Sequence, residues 1–374
     1  MGKTKTQTLW TVEAFKALFK GDISYKKALI VLTKNMAVKR YEFLRIVLNL
    51  FNELSITTLI FDEFSGEITT QDLIKGSEVA RDFDCDVIVG IGGAKTLDAA
   101  KLIAILSKES FGDHLFEALD SKQDIQALDM IAVPTTIHLK SAYSDVALFI
   151  DPIQEQIHAY QADTIMPKYA LILPKVIESV PNDILTLHTL EMFYTATEVY
   201  ILRNEHEVYV ENIIRSVKKA FEGSFDSETI ISILKASVQL TKIHHHTTPL
   251  EAFERAFLLL HPDIPYGAAQ SLCILSYYQK LMKNPVYTER IGKLAGMLDI
   301  DVFGYDYSKQ AEAFIESFKL ILKKAQMSSL DLKNYGVDSA AISDYVHYTM
   351  MVLNNDLPMS EEDLYDLFEE SLTI

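Results

Sequence analysis

Hydrophobic residues in the first half of the chain form short β-branched runs that alternate with segments of helical spacing. Each run predicts a buried strand, and apolar positions three and four residues apart predict the helix that follows it. This alternation predicts a parallel sheet covered by helices. The predicted strands are Ala28–Thr33, Thr57–Phe61, Asp86–Val89, Met130–Val133 and Tyr169–Leu173, with a further pair at Ala147–Phe149 and Ile157–Tyr160; the predicted helices are Tyr41–Leu54, Thr69–Phe83 and one that begins at Lys95.

The pattern changes after Pro181, where strand-like runs become sparse and long amphipathic segments take over. A length of 374 residues also favours two domains. We therefore predict an α/β domain over residues 1–170 and an all-helical domain over residues 171–374. The predicted helical segments are Ile184–Glu222, Ser227–His245, Pro249–Leu260 and Tyr266–Leu281.

One turn in the α/β half has candidate chemistry. An apolar run from Val87 ends at Gly90, the adjacent pair Gly92 and Gly93 follows, and a helical pattern then begins at Lys95. Glycines allow close approach of a ligand, and a helix N-terminus attracts an anion. The turn is therefore a candidate phosphate cradle, although an ordinary tight strand-to-helix turn has the same spacing, and it is neither G-x-G-x-x-G nor a Walker loop.

The amino-acid composition argues against several classes of function. A formal net charge of −17 argues against nucleic-acid binding and against attraction to anionic membranes. The two cysteines, Cys85 and Cys273, lie in apolar runs and are predicted to be buried free thiols, which fits a cytoplasmic compartment. We see no signal peptide and no apolar run long enough for a transmembrane helix.

The order of these motifs resembles the iron-containing alcohol dehydrogenase superfamily, especially its glycerol dehydrogenase branch, whose fold is shared with dehydroquinate synthase. The family turn Gly-Gly-Gly-Lys-Thr-Leu-Asp-x-Ala-Lys is similar to Gly92–Lys101, with Ala94 in place of the third glycine. The family's Pro-Thr-Thr, His-x-x-Glu and Ile-Pro-His-Gly motifs are similar to segments at 134–136, 188–191 and 264–267. If the Ala94 position requires positive φ, alanine is strained there.

The resemblance implies a Rossmann-like parallel-sheet domain that binds NAD or NADP, and a helical domain that carries the metal and substrate side of the active-site cleft. It implies hydride transfer between the nicotinamide and a small alcohol, polyol or carbonyl compound. It also implies a homo-oligomer. Thr33, next to Lys34, stands where many members have an aspartate for the adenosine ribose, so NAD and NADP both stay open. The implied cofactor-binding residues are Gly92, Gly93, Ala94, Lys95, Thr96, Asp98, Thr135, Thr136, Ser144 and Val146.

Asp98 and Lys101 are expected to support the loop of the glycine turn. They would do so as charges in the first turns of the helix that complement its dipole, or by pairing at the surface.

The family's metal positions are where this chain departs from the pattern. Members hold iron or zinc with one Asp and two or three His, and the metal lowers the pKa of the alcohol. Three of the four positions are here Ile184, Ala252 and Tyr266, and His188 alone is retained. If a divalent metal is bound, its ligands would be His188, Asp183 and His261 together with one residue of His244–His246; the alternative is that these histidines lie at a solvated helix end.

Without a metal, another group has to stabilise the developing alkoxide. The candidate catalytic residues are Lys140, His138, His188 and Tyr266. Lys140 replaces an aspartate of the glycerol dehydrogenase branch and favours an anionic substrate, or it is an exposed loop lysine. The alternative function is a catalytically inactive dinucleotide-binding homologue. A third hypothesis is a lyase related to dehydroquinate synthase, but the enzymes of that branch also need a metal triad.

Overall fold

The computed structural model describes most of the chain and divides it into two compact units, Met1–Val180 and Pro181–Ile374. The predicted boundary after residue 170 falls inside a strand of the first unit, Tyr169–Leu171, which pairs with its neighbours on both sides. The residues described are 6–19, 24–34, 41–64, 68–108, 126–151, 156–204, 207–243, 247–261, 264–265, 267–327 and 337–372.

Within its described residues, the first unit contains a six-stranded parallel sheet of order β1-β8-β5-β4-β2-β3. Strands β4 and β5 are almost wholly buried, which explains their continuous apolar sequence. A separate antiparallel hairpin is formed by β6 and β7. The strands are β1 Gln7–Leu9, β2 Lys27–Val31, β3 Thr57–Phe61, β4 Val87–Gly92, β5 Asp129–Pro134, β6 Val146–Asp151, β7 Gln156–Gln161 and β8 Tyr169–Leu171.

The helices of this unit follow the strands as predicted. Thr69 caps α3 with a capping box, since its side chain accepts from the Asp72 N–H while the Asp72 carboxylate accepts from Thr69. From Thr96 to Leu106 every residue of α4 is buried. The helices are α1 Val12–Phe19, α2 Tyr41–Glu53, α3 Thr70–Asp82, α4 Ala94–Leu106 and the short α5 Pro174–Ile177.

The second unit is helical throughout its described residues. Its core is rich in aromatic rings; Phe193, Phe314 and Phe318 stack with centroids 5.0 to 6.3 Å apart. The helices are α6 Asn182–Arg203, α7 Glu207–Glu222, α8 Ser227–Ile243, α9 Pro249–Leu260, α10 Ala268–Leu281, α11 Pro285–Met297, α12 Tyr307–Lys324, α13 Ile342–Val352 and α14 Glu361–Leu372.

The elements differ from the sequence predictions in two respects. The segment Ile184–Glu222 is not one helix, because Asn204 adopts a left-handed conformation with φ 53° and ends α6. The strand β1 and helix α1 were not predicted, since three residues are too few to show alternation. The other predicted strands and helices occur, with ends displaced by a few residues.

No described helix is long and apolar enough to span a lipid bilayer. Cys85 and Cys273 are buried free thiols, as predicted, and burial raises the pKa of Cys85 to about 11 and of Cys273 to about 12.

Candidate active site

The glycine turn lies where β4 passes into α4, at the carboxyl edge of the sheet. A Cβ on Gly92 would meet the Thr96 Oγ1 at 2.3 Å, so the turn requires glycine for packing. Gly93 is the N-cap of α4 and provides no side-chain cap for the first N–H groups of the helix. Ala94 opens the helix and has no positive φ, so it is unstrained. The turn thus presents a helix N-terminus of the kind that binds phosphate.

Thr135 closes the other side of this turn. β5 pairs with β4 up to Pro134 opposite Gly92, and the Thr135 N–H then donates to Gly92 O at 2.9 Å. The Thr135 side chain is fully buried, and its hydroxyl makes no hydrogen bond to any residue that the structure describes. Buried hydroxyls are normally paired, so this Oγ1 is available to a bound polar group. The Cγ2 of Thr136 lies 3.2 Å from where a Gly93 Cβ would stand.

Asp98 and Lys101 form a buried ion pair, and the expected surface pairing is wrong. The Lys101 Nζ has no exposed area and donates to the Asp98 Oδ1 at 3.2 Å and to Val146 O at 2.7 Å. The Asp98 Oδ2 accepts from the Leu148 N–H at 3.2 Å. Burial lowers the pKa of Lys101, while Asp98 acts in the opposite direction. The pair joins α4 to β6. Asp98 is therefore buried beneath the predicted site and is not exposed at its surface.

The segment after Thr136 contains the candidate catalytic residues of the first unit. His138 and Lys140 are half-buried, and Lys140 begins a short 3-10 helix that ends at Ala142. Because Lys140 is half-buried in this 3-10 helix, it is not the exposed loop lysine of the alternative interpretation. At the start of β6 the Ser144 hydroxyl accepts from the Val146 N–H at 2.9 Å.

Of the remaining predicted cofactor residues, Lys95 is half-buried and Thr96 is buried against Gly92. Thr33 follows β2, and the Lys34 N–H donates to Phe64 O at 2.9 Å. Asp62, at the end of β3, is exposed.

The second unit does not bring the predicted metal ligands together. Asp183 is exposed in the first turn of α6, whereas His188 is half-buried five residues later, on a different side of the helix. The His261 Nε2 lies 2.7 Å from the Tyr345 hydroxyl. Nowhere in the described residues are three His, Cys, Asp or Glu side chains placed to hold one metal ion. The described donor set therefore does not fit a divalent metal; Tyr266 and His244–His246 lie outside the described residues.

Buried carboxyl groups are the feature of this unit that sequence reasoning missed. Glu198 of α6 and Glu254 of α9 each have a pKa raised to about 8, first because of burial. For Glu254 the neighbouring charge of Glu191 raises the pKa further, while hydrogen bonds from Gly267 and Gln270 lower it. Both residues lie inside amphipathic segments, and the sequence gives only a weak indication that they are buried. Which face of each helix is buried depends on how the helices pack against one another.

The comparisons with known proteins agree with this geometry. Residues 11–174 match the family model for iron-containing alcohol dehydrogenases. This confirms the resemblance over the first unit. The match spans strands β2 to β8, the glycine turn and Thr135, all within that unit.

Relatives of this superfamily extend over both units. The NADPH-dependent butanol dehydrogenase of Clostridium saccharobutylicum is 24% identical over 329 residues, which are 83% of this chain and 81% of that protein. The fold is shared with the NADH-dependent butanol dehydrogenase A of Thermotoga maritima, with a TM-score of 0.81, 18% identity and coverage of 99% of this chain and 98% of that one. A 1,3-propanediol oxidoreductase has a TM-score of 0.84 at 17% identity, covering 98% of each chain.

Proposed function

We propose that this chain is an NAD(P)-dependent oxidoreductase that transfers hydride between a nicotinamide and a small alcohol or polyol, or its carbonyl form. Membership of a superfamily of alcohol dehydrogenases supports the reaction class. The observation that carries the proposal is the unpaired, buried hydroxyl of Thr135 beside the uncapped helix N-terminus at Gly93. A dinucleotide supplies both an anion for the helix and polar atoms for the hydroxyl.

The proposed cofactor site consists of the turn and its surroundings in the first unit. Gly92 and Gly93 allow the pyrophosphate to approach the backbone, and Lys95 and Thr96 add donors at the helix start. Thr135 and Thr136 lie on the nicotinamide side. No carboxylate follows β2 where Thr33 and Lys34 stand, which leaves room for a 2′-phosphate, so we propose that both NAD and NADP are accepted.

In the oxidation direction the alcohol carbon gives a hydride to the nicotinamide, and its hydroxyl proton must leave. The residues proposed to stabilise the developing alkoxide are Lys140, His138, His188 and Tyr266. A cation such as Lys140 stabilises negative oxygen most strongly where water is excluded. Because the described donor set does not fit a metal, no step is assigned to one.

The test is spectroscopic. Purified protein is mixed with NAD⁺ or NADP⁺ and small alcohols, diols and polyols, or with reduced cofactor and the matching carbonyl compounds, with and without added Zn²⁺ or Fe²⁺. We expect a change in nicotinamide absorbance with at least one pair, and a loss of kcat in Lys140→Ala. Binding of the nucleotide without turnover across the whole panel would contradict the reaction and support the inactive-homologue alternative.

A further inference from the structure

We propose that Glu254 is a positioning residue for the substrate side of the proposed reaction. It holds the turn before α10 through one hydrogen bond to the backbone of Gly267 and a second to the side chain of Gln270. This inference rests on the proposed function. The Glu254 Oε1 accepts from the Gly267 N–H at 2.5 Å, and its Oε2 accepts from the Gln270 Nε2 at 2.9 Å. Gly267 follows the candidate catalytic residue Tyr266 directly in the chain.

The turn has little freedom to adopt another backbone path. Gly267 has φ +77°, and a Cβ there would meet Leu187 O, one residue before His188, at 2.9 Å. The Ala268 N–H donates to Pro265 O at 3.1 Å and closes the turn on its other side. The backbone is therefore held between α6 and α9, and Glu254 accepts from the N–H of Gly267, the N-cap residue of α10.

A second set of contacts continues from Gly267 to α6. The Ser271 hydroxyl donates to Gly267 O at 2.7 Å, and the Tyr194 hydroxyl lies 2.7 Å from the Ser271 Oγ. Both polar groups of the Gly267 backbone are thus fixed by buried side chains. Such networks are rigid when every member is satisfied.

Glu254 interacts electrostatically with Glu191 and Tyr194 of α6 and with Glu251 of its own helix. Burial and the charge of Glu191 raise the pKa of Glu254 to about 8, whereas the hydrogen bonds from Gly267 and Gln270 lower it. These two hydrogen bonds therefore favour the ionised carboxylate, and ionisation does not remove them.

The experiment compares wild-type protein with Glu254→Gln and Glu254→Ala. Amide hydrogen exchange is measured by mass spectrometry on peptides that span residues 264–272, from about pH 6.5 to about pH 9.5 and corrected for the intrinsic exchange rate. Glu198→Gln is the matched control, because Glu198 is an equally buried carboxyl that accepts instead from the Leu250 N–H near the start of α9.

We expect Glu254→Ala to lose protection in these peptides by about tenfold at every pH, because it removes the acceptor of both the Gly267 N–H and the Gln270 Nε2. Glu254→Gln should keep protection, because its amide oxygen still accepts from Gly267. Glu198→Gln should also keep the wild-type protection of these peptides, since Glu198 accepts from Leu250 instead.

Protection in Glu254→Ala equal to wild type would overturn the proposal, as would failure of Glu254→Gln to restore it. Where turnover is measurable, kcat should fall in Glu254→Ala and recover in Glu254→Gln. Exchange does not depend on turnover, so an inactive protein would refute the proposed function while the positioning role is still tested.

Discussion

At the scale of single residues, the two glycines of the turn differ in what they permit. We expect Gly92→Ala to lower the free energy of unfolding by about 1–3 kcal/mol, because the new Cβ would overlap Thr96 close to its own backbone. Gly93→Ala is the matched control and should cost less than about 1 kcal/mol, since only the Cγ2 of Thr136 must give way. Urea unfolding measures both, and equal losses would contradict the packing assignment.

Lys101 makes a second prediction at this scale. Lys101→Met should destabilise the protein by about 3–5 kcal/mol, because it leaves the Asp98 carboxylate buried without its cation. The double variant Asp98→Asn with Lys101→Met should recover much of this loss, since no charge is then buried alone. Urea denaturation of both variants checks this; a change in Lys101→Met within about 0.5 kcal/mol would show that the pair is not buried as described.

At the scale of elements, several helices, α3 among them, begin at a residue whose side chain caps the first turn. Thr69→Ala should lower the free energy of unfolding by about 1 kcal/mol, because the α3 capping box loses its hydroxyl acceptor. Thr69→Ser retains that oxygen and should stay within a few tenths of a kcal/mol of wild type. Thermal unfolding of the two variants distinguishes them; equal stabilities would mean that the cap contributes nothing.

Elements were predictable where local pattern decides them. β2, β4 and β5 are buried apolar runs with clear ends, and α9 was predicted with its observed bounds because Pro249 marks its first turn. The Asn204 break was missed, since a left-handed residue leaves the apolar pattern on either side intact. Non-local packing was also invisible: nothing local indicates that Lys101 is buried or that Glu254 reaches the N–H of Gly267.

The candidate site was predictable to the same extent. The glycine turn and Thr135 follow from sequence motifs, and the structure places them side by side through the register of β4 and β5. The unpaired state of the Thr135 hydroxyl has no sequence signature, because it depends on what surrounds the side chain.

At the scale of the whole molecule, buried carboxyls make stability depend on pH. Glu198 and Glu254 have a pKa of about 8 in the folded protein against an ordinary 4.5, so between these values the folded state binds more protons than the unfolded chain. Stability should therefore fall as pH rises from about 4.5 to about 8, by about 1.4 kcal/mol per pH unit for each group, and the decline should end above that range.

Urea unfolding at a series of pH values measures this slope. The double variant Glu198→Gln with Glu254→Gln should show a shallower decline than wild type over the same range, because neither group then titrates. Identical slopes would contradict the raised pKa values of these two groups.

The central claim, that the first unit binds a nicotinamide dinucleotide at the glycine turn, is tested most directly by calorimetric titration of NADH and of NADPH into wild-type protein and Thr135→Val. We predict one site per chain in wild type and about tenfold weaker binding in Thr135→Val, since one hydrogen bond is lost. The variant's free energy of unfolding without ligand should not fall, because no protein hydrogen bond is removed. Folded wild-type protein that binds neither nucleotide would contradict the account.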